Sequence, residues 1–196
     1  MKKTILIMLA LMFTAAAFAQ DVKVIRLKQP QRKKGLSVME ALQKRKSVRG
    51  FSDKELDLQT VSNLLWAANG VNRAEEKKRT APSAMNRQEI ELYICLKDGA
   101  YLYDAFENIL KQTSPADCRL LGAPATVFIV ANAKADERFA DMDAGIVSQN
   151  ISLFAAGTGL ATVVRASMPP AAQIRQALAL KEGQLLKLNM PVGYEK

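Results

Sequence analysis

The sequence predicts a single α+β domain in which helices flank a mainly antiparallel central sheet. Three observations support this fold class: two amphipathic segments with helix-start signals, two strand-like segments that meet at an Asp-Gly turn, and a buried-type run of six mostly apolar residues. No Gly- or Ser-rich linker divides residues 37–196, so one domain is expected there. Residues 20–36 precede it as a basic N-terminal extension.

The first two helices are predicted from their caps. Ser37-Val38-Met39-Glu40 has the Ser-x-x-Glu pattern of a capping box, so a helix is expected to begin there and to end near residues 45–48. Asp57 is expected to cap a second helix, because apolar residues recur with helical spacing from there to Gly70. The polar residues 71–79 show no periodicity and are predicted to form a mobile loop.

The later elements follow from apolar patterns. Residues 89–97 alternate between apolar and polar, and Asp98-Gly99 then predicts a hairpin into a second strand. Residues 126–131 are expected to form a central strand that is covered on both faces. The pattern then predicts a long helix over 138–156 with small residues that allow another helix close, a strand at 160–164, a helix at 170–178 and a last strand at 185–190.

The composition excludes several classes of protein. Of the 196 residues, 49% are hydrophobic and 24% are charged, which is typical of globular proteins and not of disordered or fibrous ones. The chain has 0 histidines, which excludes Ser-His-Asp catalysis, Cys-His catalysis and histidine-containing metal sites. The chain has 2 cysteines, Cys95 and Cys118, and the sequence leaves open whether they form a disulfide.

The N-terminus has the pattern of a secretory signal peptide. Two lysines precede an apolar run from Ile5 to Phe13, and Ala17-Phe18-Ala19 is an Ala-x-Ala cleavage signature. The run is shorter than the about 20 apolar residues of a membrane span. The sequence therefore predicts that residues 1–19 are removed, that no stable membrane span remains, and that the protein is periplasmic or secreted.

The net charge of +9 raises the question of an anionic partner. Nucleic-acid binding is not predicted, because Trp66 and Phe51 are the only large aromatic residues near the basic clusters. A solvated basic face remains open for most of the lysines. A small anionic ligand suits the arginines better.

Two clusters contain side chains suited to a ligand. Arg45-Lys46-Ser47-Val48-Arg49 places two guanidinium groups and a hydroxyl within five residues, which suits a phosphate. The alternative is a cationic helix C-terminus that the helix dipole stabilises. The second cluster, residues 79–88, contains a polar turn that begins with proline, and an ordinary loop is its alternative. Neither cluster is specific by itself.

Together and in this order, the clusters resemble motifs of the flavin-dependent nitroreductase family. The Arg-x-Ser-x-Arg-x-Phe motif of that family is matched by Arg45, Ser47, Arg49 and Phe51. Its Pro-Ser-x-x-Asn-x-Gln motif is matched by Pro82, Ser83, Asn86 and Gln88. Residues 143–160 resemble the long dimer helix of the family, and residues 191–194 resemble its closing Pro-x-Gly-Tyr. Tyr101-Leu102-Tyr103 resembles the azoline-oxidising, streptolysin-type dehydrogenase branch.

This resemblance implies a nitroreductase-like fold, an obligate homodimer and FMN bound between the subunits. The residues that would bind the phosphate and ribityl end are Arg45, Lys46 and Ser47. Arg49 would lie near N1 and O2 of the flavin ring. The other subunit would contribute Pro82, Ser83, Ala84 and Asn86. The side of the ring that carries N5 would face Val164, Arg165 and Ala166.

The implied function is that of an exported FMN-dependent oxidoreductase, which passes hydride and electrons through flavin N5 to a small organic acceptor in a ping-pong cycle. The cofactor supplies this chemistry, so no side chain is assigned as catalytic. One alternative is a catalytically silent relative that binds flavin or a partner, because Tyr194-Glu195-Lys196 lacks the Lys/Arg-x-Arg segment common in the family. The other is a basic surface module that binds polyanions.

Overall fold

The computed structural model describes residues 22–167 and 171–196. The predicted signal peptide 1–19 and residue 170, the predicted start of the last helix, lie outside the described residues. Within the described residues the chain forms nine strands and four α-helices. No helix in this part of the chain has both the length and the apolar character needed to cross a bilayer.

The elements are numbered in chain order. The strands are β1 (Val24–Arg26), β2 (Val71–Arg73), β3 (Lys78–Arg79), β4 (Ile90–Leu96), β5 (Gly99–Asp104), β6 (Ile109–Ser114), β7 (Ala125–Ala131), β8 (Ala161–Thr162) and β9 (Leu185–Gly193). The helices are α1 (Val38–Lys44), α2 (Leu58–Asn69), α3 (Glu137–Thr158) and α4 (Ala171–Leu178), and a 3₁₀ turn spans Ala84–Asn86.

Seven of the strands form one antiparallel sheet in the order β1-β6-β5-β4-β7-β9-β8. The middle strands are in close register, with Phe128 of β7 opposite Tyr93 of β4 on one side and Asn189 of β9 on the other. All seven residues of β7 are buried. The predicted α+β fold with a mainly antiparallel sheet and a covered central strand is therefore confirmed.

Alternate residues of the sheet face two separate cores. Leu92 and Ile94 of β4 pack in a large core with α2 and α3, and Tyr93 and Cys95 pack in a smaller core with α4. This alternation follows from the two-residue period of an extended strand. Helices therefore cover both faces of the sheet, and α1 packs beside α3 in the outer layer of the larger core.

The predicted helix caps are confirmed. Ser37 and Glu40 form the capping box at α1, because the Glu40 N–H donates to the Ser37 hydroxyl at 3.3 Å and the Ser37 N–H donates to the Glu40 carboxylate at 2.9 Å. At α2 the Asp57 carboxylate accepts from the Thr60 N–H at 2.7 Å. The long helix α3 ends at Gly159, whose φ of 76° lies in the left-handed region that glycine adopts without strain.

Residues 71–79 are not a structureless loop, and that prediction was wrong. They form the two-stranded hairpin β2-β3. The hairpin is stabilised by contacts that apolar periodicity does not reveal. The Trp66 indole donates to the Val71 carbonyl at 2.9 Å, and the Lys78 ammonium lies 2.9 Å from the Glu76 carboxylate.

Four further elements differ from the expectations. The strand expected at 160–164 is reduced to the two residues of β8, and the last strand continues to Gly193. The sequence patterns did not indicate β6, which has only one buried residue, Leu110. Its partner β1 lies within the basic N-terminal segment, where Leu27 is buried in the larger core. Residues 22–36 are thus packed on the rest of the fold.

The two cysteines, whose pairing the sequence left open, form a disulfide. It joins Cys95 in β4 to Cys118 in the segment before β7, with the Cα atoms 5.8 Å apart. Both residues belong to the smaller core. The bond therefore ties a loop to the sheet on the face that α4 covers.

Candidate cofactor site

The first motif, the Arg-x-Ser-x-Arg-x-Phe match at residues 45–51, begins directly after the end of α1. Arg45 caps the helix with a φ of -57° and a ψ of 119°, which end the helical backbone, and the buried Val48 donates its N–H to the Thr162 carbonyl at 3.0 Å. Side chains alternate along an extended chain, so the residues on either side of Val48 point outward. Arg45, Ser47 and Arg49 are accordingly exposed.

Only one of the three cations in this motif forms an ion pair in the part of the chain that the structure describes. Lys46 pairs with Glu195, with Nζ and Oε1 2.7 Å apart. In the part of the chain that the structure describes, the side chains of Arg45, Ser47 and Arg49 make no hydrogen bond or ion pair. Two guanidinium groups and a hydroxyl therefore remain available to an anion, for which the planar fork of arginine is well suited.

A cleft of about 180 Å³ lies beside the first motif. Lys44, Lys46 and Val48 line one side, and the C-terminal part of α3 lines the other with small residues. The residues on the α3 side are Ser152, Ala155, Ala156 and Gly159. The small side chains of this helix end thus leave open space next to Lys44, Lys46 and Val48, which alternate along the chain with Arg45, Ser47 and Arg49.

The third motif, residues 164–166, runs next to β9. Arg165 forms a two-way backbone bridge with Asn189: the Arg165 N–H donates to the Asn189 carbonyl at 3.0 Å, and the Asn189 N–H donates back at 2.9 Å. Val164 and Ala166, on either side, are exposed. Thr162, which pairs with Val48, precedes this segment by two residues, so the structure brings the first and third motifs close together within one chain.

Asn189 is a buried anchor that sequence analysis did not identify. Its side-chain amide donates to the Arg165 carbonyl at 3.4 Å and to the Ser167 carbonyl at 3.0 Å, and its oxygen accepts from Arg165 Nη1 at 3.3 Å. A single amide therefore holds both the backbone and the guanidinium of Arg165. The available signal was one uncharged polar side chain within the mostly apolar last strand.

The second motif, the Pro-Ser-x-x-Asn-x-Gln match at residues 82–88, forms a tight turn around the 3₁₀ segment. Met85, Asn86 and Gln88 have φ values of 50°, 55° and 53°. Non-glycine residues adopt this left-handed region at a cost, so surrounding contacts must hold the turn. The Ser83 hydroxyl accepts from the Gln88 N–H at 2.9 Å, and the Ala84 N–H donates to Asp143 Oδ1 at 3.2 Å. Pro82 leads into this turn.

Asp143 of α3 is the second anchor that sequence analysis missed. It is 3% exposed, and its Oδ2 has no hydrogen-bond partner among the described residues. Burial raises the pKa of this carboxyl, and the nearby Glu89 carboxylate raises it further. The carboxyl connects α3 directly to the turn that carries the second motif.

Within one chain, the second motif lies far from the first along α3. It contacts this helix at Asp143, whereas the cleft of the first motif begins at Ser152 and extends past Ala156. With a rise of 1.5 Å per residue, the 13 steps from Asp143 to Ala156 span about 20 Å. The structure therefore does not bring residues 82–86 together with Arg45, Ser47 and Arg49 in a single subunit.

Comparisons with known proteins relate this chain to one family. A sequence profile of the nitroreductase family matches residues 42–194. A protein of Methanocaldococcus jannaschii assigned as a nitroreductase is 30% identical over 184 residues, which cover 81% of this chain and 91% of that protein.

Solved structures show the same fold. A Ralstonia eutropha protein assigned as a nitroreductase superposes with a TM-score of 0.84 at 34% identity, covering 92% of this chain and 93% of that chain. A Clostridium difficile protein described as an FMN-dependent nitroreductase superposes with a TM-score of 0.57 at 19% identity, covering 82% and 91%, and at that identity it shows the fold alone. The chain therefore belongs to the nitroreductase family.

Proposed function

We propose that this nitroreductase-family oxidoreductase binds FMN at the interface of a homodimer and passes electrons from a donor to a small organic acceptor. The observation that carries the proposal is the exposed and unpaired set formed by Arg45, Ser47 and Arg49, in a segment whose intervening residues Lys46 and Val48 line an open cleft. Two guanidinium groups and a hydroxyl match the phosphate and the polar edge of a flavin in charge and in hydrogen-bond donors.

The resemblance to family motifs gives the residues their proposed roles, and their chemistry is compatible with those roles. Arg45 and Ser47 hold the phosphate and ribityl end, and the Lys46 backbone adds a contact there. Arg49 lies against the part of the ring where negative charge collects on reduction, and it stabilises that charge. When bound, FMN supplies the hydride and electron transfer. The bridge between Arg165 and Asn189 keeps the backbone of Val164, Arg165 and Ala166 in place to face the ring.

The distance between the first and second motifs supports a shared site. In a two-fold dimer that pairs α3 with its copy in antiparallel orientation, Pro82, Ser83, Ala84 and Asn86 of each subunit move toward the first motif of the other. The outward face of α3 is suitable for such a contact, because Met142 and Ile146 are exposed and the space above Gly145 is open. Val38 and Met39 of the adjacent α1 extend this exposed apolar surface.

Two finer parts of the proposal are separate from the cofactor. Export follows from residues 1–19, and the disulfide supports it because such bonds persist in oxidising compartments. The resemblance to the azoline-oxidising branch is based on Tyr101-Leu102-Tyr103. Tyr101 and Tyr103 are buried in β5, so these side chains do not contact an acceptor at the proposed site, and the branch stays a prediction.

The test uses the purified full chain reconstituted with FMN. The proposal predicts a yellow dimer whose blue absorption band is bleached by dithionite and is restored anaerobically by a nitroaromatic acceptor. A colourless monomer that does not retain FMN contradicts the proposal. A yellow protein whose reduced form no acceptor reoxidises is instead the catalytically silent relative.

A further inference from the structure

The arginines of this protein differ in how their charge is balanced. Outside the candidate site, several form ion pairs with carboxylates: Arg87 with Glu89 at 2.7 Å, Arg119 with Asp117 at 2.8 Å, and Arg138 with Asp136 at 2.9 Å. Arg165 has no carboxylate within ion-pair distance among residues 22–167 and 171–196. Its charge is therefore uncompensated within the described structure.

Arg165 is nevertheless fixed in position. Its backbone is bridged to Asn189, and its Nη1 donates to the neutral Asn189 side-chain oxygen at 3.3 Å. A guanidinium has five N–H donors, so one bond to a neutral amide leaves the other donors and the full positive charge available. The side chain is half-buried, whereas Val164 and Ala166 beside it are exposed. Arg165 is therefore a positively charged side chain that Asn189 keeps in position next to exposed residues.

The position of Arg165 separates it from the donors proposed for the phosphate. Thr162 is the residue that contacts the first motif, and Arg165 follows it by three residues, or about 10 Å of extended chain. Glu195, the acidic residue that contacts the first motif, is already paired with Lys46. No carboxylate of the described site therefore opposes an anion that approaches Arg165.

We propose that Arg165 makes the site select anionic electron acceptors, namely small organic molecules with a carboxylate or sulfonate beside the group that is reduced. The inference rests on the proposed function, in which the backbone of residues 164–166 faces the flavin. The backbone then serves the cofactor, and the guanidinium binds the acceptor's anionic group by charge-assisted hydrogen bonds. Asn189 is the positioning residue that holds this guanidinium.

The test compares two acceptors of nearly equal size, 4-nitrobenzoate and 4-nitrobenzamide. In the reaction, the nitro group gains two electrons and two protons from the reduced cofactor, loses one oxygen as water and becomes a nitroso group. The FMN-loaded protein is reduced with dithionite without air, and its reoxidation by each acceptor is followed by stopped flow. The measured quantity is the ratio of the two second-order rate constants.

The wild type is expected to prefer the benzoate, and Arg165→Gln is expected to lower the ratio about tenfold. Arg26→Gln is the matched control, because Arg26 is an exposed arginine on β1, at the opposite edge of the sheet from β8. This control is expected to keep the wild-type ratio. Equal ratios in the wild type and Arg165→Gln overturn the inference and leave the proposed function standing. Failure of both acceptors to reoxidise the wild type overturns the proposed function and this inference with it.

A binding measurement tests the same role without turnover. Unsubstituted benzoate, titrated calorimetrically into the oxidised FMN-loaded protein, is expected to bind about tenfold more weakly to Arg165→Gln than to the wild type or Arg26→Gln. The affinity for FMN is measured in the same samples. Weaker FMN binding by Arg165→Gln with unchanged benzoate affinity makes Arg165 a ligand of the cofactor and overturns the inference.

Discussion

At the scale of single residues, a substitution of Arg45 tests whether its guanidinium binds the phosphate of FMN or only stabilises the end of α1. Arg45→Ala is expected to raise the FMN dissociation constant roughly ten- to a hundredfold, because a charge-assisted contact to the phosphate is lost. Riboflavin has no phosphate, so its affinity is expected to change little. Both constants are measured by quenching of flavin fluorescence.

The matched control for this prediction is Arg45→Lys, which keeps a cation at the C-cap of the same helix and removes only the planar guanidinium fork. If Arg45→Ala weakens FMN and riboflavin binding equally and Arg45→Lys weakens neither, the cation acts on α1 through its dipole and not on the phosphate. That result makes the first motif a cationic helix C-terminus and nothing more.

Asp143 provides a prediction about pH. Its pKa is raised above 3.8 in the folded protein by burial and by Glu89. As the pH rises past 3.8, the unfolded chain releases this proton before the folded chain does, so the contribution of Asp143 to the free energy of unfolding falls until the folded pKa is passed. Asp143→Asn removes this unfavourable contribution, so its free energy of unfolding is expected to increase more with pH than that of the wild type across this acidic window, as measured by urea unfolding of the apoprotein at a series of pH values.

Asp136→Asn is the control for this pH effect and has the opposite sign. The hydrogen bond from Arg138 lowers the pKa of Asp136, so this carboxylate stabilises the folded state increasingly as the pH rises toward 3.8. Parallel stability curves for the wild type and Asp143→Asn contradict a raised pKa at Asp143.

The residues that face a ligand could be predicted, and the residues that hold them could not. Arg45, Ser47 and Arg49 are recognisable because charged and hydroxyl groups in a short segment match an anion. Asn189 and Asp143 act through contacts with residues 24 and 59 positions away, at Arg165 and Ala84. Such contacts exist only after the chain has folded, and no local pattern encodes them.

The same distinction holds for the elements. The helices α1 and α2 were predicted because each capping side chain bonds to a backbone N–H only three residues further along the chain, so the whole signal is local in sequence. The edge strand β1 and its neighbour β6 pair residues about 85 positions apart, as in Val24 with Lys111, and each contains too few buried residues for a visible alternation. The hairpin β2-β3 depends on Trp66 and on an ion pair. Its sequence therefore resembles a polar loop.

The disulfide gives a prediction for the smaller core. Cys95 and Cys118 close a loop with a sequence separation of 23, for which chain entropy predicts a stabilisation of about 3 kcal/mol. Replacing both cysteines by alanine is expected to lower the Tm by about 6–12 °C, measured by thermal unfolding followed by circular dichroism. A reductant should lower the Tm of the wild type and leave that of the variant unchanged. Equal melting temperatures without reductant contradict this role.

At the scale of the whole molecule, α3 connects every part of the proposed site. One end of the helix anchors the second motif through Asp143, and the other end lines the cleft of the first motif with Ala155 and Gly159. Its inner face packs on the sheet, and its outer face exposes apolar residues. In the proposed dimer, a copy of this helix covers the outer face and completes two equivalent sites at once, and that assembly accounts for the distance between the two motifs within one chain.

The last prediction tests this assembly at Gly145, on the outer face of α3. A Cβ added to this glycine would have no atom within 4 Å apart from those of its own helix. Gly145→Glu is therefore expected to leave the fold of the single subunit intact, since the added side chain meets open space there. In the dimer it places a bulky carboxylate in a close helix contact, so dimer and bound FMN are expected to be lost together. Gln176→Glu adds the same charge at an exposed position of α4, on the opposite face of the sheet, and should remain a yellow dimer. Size-exclusion chromatography with detection of flavin absorbance measures both properties, and circular dichroism verifies the fold. A folded Gly145→Glu protein that elutes as a yellow dimer excludes α3 as the dimer contact.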